Sequence, residues 1–391
     1  LRFCISRFFE EKEAMKKIPF IDLKRSYEVY KEELESKVLE VLRSGIYLNG
    51  PNTKELENML ANYLGTSYAI GVSSGTEALF LILKALNLPQ KTYVLVPSFT
   101  FVATAEVVVR AGLIPYFVDV EETTYNISLE SLKESYERLK KKRKKVSAVI
   151  AVSLFGLPAN LREISKFCKE NKIYLIEDIC QAFGAKIGEK RVGTFGIASA
   201  TSFYPTKPLS TFGDAGMVFT SNKQLAETVR ILKEHGQTKP YFYKYHGFNG
   251  RIDEIHSAIL LVKFRYFEKE LELRKAIAEK YMKELGNLHP YIKLPQFPKD
   301  YHSAYSLFTI RARKRNKLKE FLKEKGIITG IYYSKPLHLQ PVYKKFKFKN
   351  GDLPITEKLS REVLSLPLFP YLTEEEVDYI ILSVREFYKG S

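Results

Sequence analysis

Tryptophan is absent from the 391 residues and methionine occurs only four times. Cysteine is as scarce: Cys4, Cys168 and Cys180 are odd in number and show no metal-like spacing. That gives no sign of a disulfide framework, of a zinc site or of a redox role, so no metal is expected. No apolar run approaches the roughly 20 residues that a bilayer crossing needs, and the N-terminus has no contiguous signal-peptide core. The expectation is a cytoplasmic protein without a membrane partner. Internal repeats and low-complexity linkers are missing too.

What is present is an ordinary globular composition, 45% hydrophobic, long enough for one sizeable core and a smaller satellite. The 62 basic residues outnumber the 45 acidic ones and leave a net charge of +17, which suits anionic small ligands and would also suit nucleic acid. The most basic run, Arg138 to Lys145, lies between an amphipathic helical pattern and the apolar run that starts at Val146. It reads as a solvated helix end leading into a strand, so no nucleic-acid partner is expected.

Residues 1–17 read as an N-terminal extension, and Met15, just before the fresh start Ile18-Pro19-Phe20-Ile21-Asp22-Leu23, reads as the natural first residue. Helical spacing covers Lys24–Ser44 and Thr53–Leu64. Short β-rich runs (68–72, 93–96, 114–118, 146–152, 173–176) then alternate with helical stretches (75–86, 101–111, 129–139, 161–170), the pattern of a mainly parallel sheet covered by helices. Strands over 199–204 and 216–220 and a helix over 223–234 close this part. A long helical pattern, 252–285, leads to a strand near 306–310 and helices near 316–325 and 373–389, the last with a Thr373/Glu376 capping box. The expected organisation is an α/β domain over 18–250, with a bridging helix and a smaller α+β domain over 251–391.

Three elements carry chemistry. Ser202-Phe203-Tyr204-Pro205-Thr206-Lys207-Pro208-Leu209, followed by Gly213-Asp214-Ala215-Gly216, puts one lysine just after a buried strand. Such a lysine, if enclosed, can form an imine; a surface turn lysine would look the same. Glu177-Asp178 ends a parallel strand at the edge where open α/β sheets bind ligands, and a carboxylate there could hold a pyridinium nitrogen protonated or simply cap a helix. Gly71-Val72-Ser73-Ser74-Gly75-Thr76-Glu77-Ala78 runs from strand through a small-residue turn into a helix, where backbone N–H groups can cradle a phosphate.

Together with Pro97-Ser98-Phe99-Thr100-Phe101-Val102-Ala103-Thr104, Gln181-Ala182-Phe183-Gly184-Ala185, Gly247-Phe248-Asn249-Gly250-Arg251 and Pro336-Leu337-His338-Leu339-Gln340-Pro341, these elements resemble the DegT/DnrJ/EryC1/StrS family of sugar aminotransferases dependent on pyridoxal 5′-phosphate (PLP), from about Ile18 to the C-terminus. The resemblance implies the aspartate-aminotransferase type of fold (PLP fold type I), with PLP as cofactor. It assigns Lys207 as the Schiff-base lysine, Asp178 as partner of the pyridine nitrogen and Gln181 as partner of the ring hydroxyl. Phe101 falls where an aromatic ring lies against the cofactor, and Gly75, Thr76 and Ser202 fall on the phosphate. Asn249 matches a residue that reaches the phosphate from a neighbouring subunit, which implies a homodimer with shared sites. Arg251, Tyr333 and His338 lie in segments matching the substrate side.

The implied activity is transfer of an amino group, typically from L-glutamate, to a keto sugar carried on a nucleotide. Arg251–Leu260 and Pro336–Pro341 look closer to members acting on 3-keto sugars than to those acting at position 4. Members with histidine in place of the lysine catalyse dehydration, against which Lys207 argues. Pro208 stands where asparagine is usual, Ala215 where a second glycine is common, His256 where glutamine is common and Ser153 where histidine is frequent. A same-family enzyme acting on a cyclitol-type substrate and a PLP-binding regulator without turnover are the alternatives.

Overall fold

The structure, a computed structural model, describes residues 17–389; Cys4, Met15 and the other residues of the extension before Lys17 lie outside the described residues. Two helices open the fold, α1 (Leu23–Ser44) and α2 (Pro51–Leu64). Strands and helices then alternate: β1 (Tyr68–Val72), α3 (Gly75–Ala85), β2 (Tyr93–Pro97), α4 (Ala103–Arg110), β3 (Ile114–Val118), α5 (Leu129–Lys141), β4 (Val146–Val152), α6 (Leu161–Glu170) and β5 (Tyr174–Asp178). A small hairpin, β6 (Lys186–Ile187) and β7 (Lys190–Arg191), precedes β8 (Ala198–Ser202), β9 (Gly216–Thr220) and α7 (Lys223–Lys233).

Seven of these strands form one sheet in the order β1-β9-β8-β5-β4-β2-β3. The pairs from β8 through β3 are parallel, and β9 runs antiparallel to both its neighbours. Its strands are buried along almost their whole length because both faces are covered. On one face lie α3, α4 and α7, with Leu79, Val107 and Val229 packed on Val94 and Ile176. On the other lie α2, α5 and α6, with Leu60, Leu132 and Ile164 packed on Leu95 and Val149. The basic run after Tyr136 behaves as a solvated helix end: Leu139 is buried, Lys140 to Lys145 are exposed, and β4 follows.

The hairpin β10 (Gln237–Lys239) and β11 (Phe242–Tyr243) leads to α8 (Glu254–Leu285), whose 32 residues span about 48 Å. Beyond it come β12 (Ile292–Lys293), β13 (Tyr301–His302), β14 (Phe308–Ala312), α9 (Arg315–Glu324), α10 (Pro354–Glu362), β15 (Val363–Leu366) and α11 (Glu374–Lys389). β12, β14 and β15 form a second, antiparallel sheet, covered by α9, α11 and the end of α8 through Leu318, Ile380 and Tyr281. The division at 250/251 remains a proposal drawn from segment order, and packing crosses it in several places: Ile252, Leu260, Leu261 and Phe267 belong to the first core, and Tyr30 and Leu34 pack on Ile259 and Val262. Ile18 belongs to the second core, whereas Leu337, Tyr343 and Leu353 belong to the first. At the start of α11 the capping box is in place: Thr373 N–H donates to Glu376 at 2.9 Å and Glu376 N–H to Thr373 Oγ1 at 3.3 Å.

Candidate active site

The carboxyl ends of β2, β4, β5 and β8 and the turn after β1 open onto one cavity of about 530 Å³. Gly75, Thr76, Phe101, Asp178, Gln181, Ser202, Lys207 and Tyr333 all line it. Lys207 is held there by a turn: Pro205 occupies the second position of Tyr204–Lys207, a place its fixed φ favours, and Lys207 N–H donates to Tyr204 C=O at 2.9 Å. The loop closes behind it where Thr211 N–H donates to Phe203 C=O at 2.8 Å.

Strand alternation separates the two carboxylates of β5. Glu177 turns away and accepts the N–H groups of Gly193, Phe195 and Gly196 at 2.6, 2.6 and 2.7 Å, and burial pushes its pKa up to about 7. Asp178 faces the cavity. Its Oδ2 accepts Thr104 Oγ1–H at 3.0 Å and its Oδ1 accepts Cys180 N–H at 3.2 Å, so it caps no helix and is held by donors as an acceptor. Gln181 accepts Phe155 N–H through Oε1 at 2.9 Å and donates from Nε2 to Tyr333 Oη at 3.3 Å. Burial raises the Tyr333 pKa and keeps the phenol protonated.

The turn after β1 leaves backbone donors free at the start of α3. Ser74 caps α3 by accepting Glu77 N–H at 3.0 Å, leaving the N–H groups of Gly75 and Thr76 without intrahelical acceptors. A Cβ on Gly75 would stand 2.7 Å from Ser202 Cβ and 2.8 Å from Cys180 Sγ. Glycine is thus what lets the backbone, the Ser202 hydroxyl and a ligand share this space. Lysine, an acceptor carboxylate, an amide donor, a helix N-terminus and the half-exposed Phe101 ring around one cavity fit PLP: an aldehyde to attach, a ring nitrogen, a ring hydroxyl, a phosphate and an aromatic face.

Three expected residues lie elsewhere. Asn249 is exposed outside this chain's own cavity. Arg251 pairs with Glu234 at 3.0 Å. His338 is buried, with Nδ1 2.7 Å from Ser98 Oγ and Nε2 3.2 Å from Glu357 Oε1. Burial lowers its pKa against the pull of Glu357, and both ring nitrogens are used inside the fold. The cavity also holds Phe20, Thr104, Tyr204, Asp214 and Tyr332, which sequence reasoning did not single out. Thr104 closes the run beginning at Pro97, but only the folded helix shows it reaching Asp178. A second cavity, about 570 Å³, is ringed by Arg313, Lys314, Lys317 and Arg361 near the start of α9, and none of the expected residues enters it.

A mainly parallel sheet with this lysine, carboxylate and phosphate cradle at its carboxyl edge defines a PLP enzyme of the aspartate-aminotransferase type. The profile of the DegT/DnrJ/EryC1/StrS aminotransferase family matches residues 28–385. A "Pleiotropic regulatory protein" of Geobacillus stearothermophilus is 38% identical over 95% of this chain and 99% of its own length. A UDP-2-acetamido-2-deoxy-3-oxo-D-glucuronate aminotransferase of Pseudomonas aeruginosa is 36% identical over 93% of this chain and 98% of its own. Among solved structures, a DegT DnrJ EryC1 StrS aminotransferase from Brucella abortus superposes with a TM-score of 0.91 at 38% identity, covering 95% of this chain and 99% of its own. NtdA of Bacillus subtilis, with bound cofactor PMP, superposes at 0.89 and 29% identity over 96% of this chain and 86% of its own. The chain belongs to the DegT/DnrJ/EryC1/StrS family and is a PLP-dependent aminotransferase.

Proposed function

We propose that this aminotransferase moves an amino group from L-glutamate to the 3-keto carbon of a nucleotide-linked deoxysugar. The carrying observation is the convergence of Lys207, Asp178, Gln181 and the Gly75-Thr76 turn on one cavity. PLP, when bound, supplies a ring that withdraws electrons from the amino-bearing carbon. Lys207 would hold the cofactor's aldehyde carbon, and its Nζ, when free, would take the proton from the donor's amino-bearing carbon. Asp178, fixed by Thr104 and Cys180, keeps a proton on the ring nitrogen. Gln181, braced by Phe155 N–H, turns its amide donor inward. Thr76 and Ser202 hold the phosphate with Gly75 N–H. The 3-keto position is supported by the segments around Arg251 and Pro336 and by the 3-oxo substrate named for the Pseudomonas relative.

The enzyme on this reading is a cytoplasmic homodimer with shared sites. Among the described residues Lys207 is the single cationic side chain lining the cavity, so a diphosphate substrate finds no other cation from them there. Beside the exposed Asn249, the β10–β11 hairpin presents Tyr241, 89% exposed, with Phe242 and Tyr243, an aromatic patch of the kind that marks an interface.

The test is the absorbance spectrum of the purified protein with PLP, before and after L-glutamate, in wild type and Lys207→Ala. Conversion to the aminated cofactor in wild type alone is the expected result, followed by product analysis with 3-keto and 4-keto nucleotide sugars and a keto-cyclitol. The name of the Geobacillus relative favours one rival, a regulator without turnover. That rival requires PLP uptake with a spectrum that ignores every amino donor.

A further inference from the structure

The back of the Lys207 loop rests on α8. Two α8 side chains seven residues apart, hence two turns along one face, reach adjacent loop residues. His256 Nδ1 lies 3.0 Å from Thr211 Oγ1, and Lys263 Nζ donates to Ser210 Oγ at 2.6 Å. The His256 ring also fills the space beside Gly213, where a Cβ would meet its Cε1 at 2.7 Å.

Lys263 is the unusual member. It is only 5% exposed, and Ser210 Oγ is its one hydrogen-bond partner among the described residues. No carboxylate there approaches within ion-pair distance. Its ammonium faces the rings of Phe212 at 5.4 Å and Tyr30 at 5.8 Å. Glu270, the nearby acid, is taken up by Tyr371 at 2.8 Å and Tyr30 at 3.4 Å. Burial lowers the Lys263 pKa to about 8, with Glu270 pulling the other way. A buried cation without a counter-ion is costly, and an apolar residue of the same length would stabilise the fold more.

Leu209 anchors the loop in the core, but a gap of about 20 Å³ lies between Pro205, Thr206, Lys207, Pro208 and Phe212 on one side and Lys263, Glu270 and Arg274 of α8 on the other. On this side of the loop the polar contacts from Lys263 to Ser210 and from His256 to Thr211 make the link to α8.

We propose that Lys263 is a positioning residue for cofactor attachment: through Ser210 it holds the return of the loop, and so sets where Lys207 stands in the cavity. This rests on Lys207 being the attachment point. The test compares wild type, Lys263→Met, Ser210→Ala and the double variant in PLP affinity by titration, in the visible circular dichroism of bound PLP and in thermal midpoint. Each single variant should bind PLP roughly tenfold more weakly, as expected for loss of a hydrogen bond to a charged group, with an altered dichroic band. The double variant should be no worse than either single one. Lys263→Met should keep or raise the thermal midpoint.

Wild-type affinity and an unchanged band in both single variants, whatever their midpoints, would overturn the proposal, as would losses that add in the double variant. Ser210→Ala removes one hydroxyl and keeps the test readable if Lys263→Met does not fold. A wild type that takes up no PLP would overturn the aminotransferase reading itself, a result distinct from unchanged variants.

Discussion

Glu177 and Asp178 are neighbours in sequence and opposites in environment. Glu177 lies on the side of β5 that packs on the 193–196 turn, where three N–H donors meet its carboxyl and burial raises its pKa to about 7. In the unfolded chain it titrates near the ordinary glutamate value of about 4.3. Between these values the folded protein binds more protons at this site than the unfolded chain. This carboxyl's contribution to stability is therefore full below about pH 4.3 and is lost as pH rises through about 7, on the order of 3 kcal/mol in all. Glu177→Gln keeps one acceptor and cannot ionise. Denaturant midpoints taken from pH 4 to 8 should show wild type losing stability relative to Glu177→Gln across that window; parallel curves would mean that the donors hold Glu177 ionised throughout. The sequence put both carboxylates at the strand edge but not on their faces. Both faces of this sheet are buried, so apolar alternation gives no phase, and only pairing register separates the structural acid from the one in the cavity.

At the scale of elements, α3 combines a serine cap with a glycine at its first position, and both were legible as strand, small-residue turn and helix. The clash that makes glycine necessary was not, because Ser202 and Cys180 come from β8 and the segment after β5. Gly75→Ala should push Ser202 and Cys180 off the cradle and weaken PLP binding roughly tenfold, whereas Thr76→Ser, which keeps the hydroxyl, should not. Titration of PLP into both variants, with inorganic phosphate as competitor, checks this; wild-type affinity in Gly75→Ala would show that the phosphate sits elsewhere. The longer helices carried clear periods in sequence, and the longer sheet strands showed as short buried runs between them. β6, β7, β10 and β11, of two or three residues each, are too short for any period, and α10, nine residues behind Pro354, was hidden among proline-marked turns.

For the whole molecule, the shared-site reading makes a prediction that a self-contained subunit does not. If Asn249 serves the partner's phosphate, each site needs Lys207 from one chain and Asn249 from the other. Lys207→Ala homodimers are then inactive and Asn249→Ala homodimers bind PLP poorly. A heterodimer of the two variants has one site with both residues intact and one with neither. Unfolded, mixed one to one and refolded, half of the dimers are heterodimers on random association, so about a quarter of wild-type site activity should return. If each chain builds its own site, one chain of the heterodimer lacks the lysine and the other the asparagine, and mixing restores nothing beyond the average of the two parents. Transamination measured at limiting PLP on the mixed sample separates these outcomes. Lys239→Glu and Lys244→Glu on the exposed hairpin can be carried through the same mixing scheme to ask whether that hairpin also travels with the partner's site.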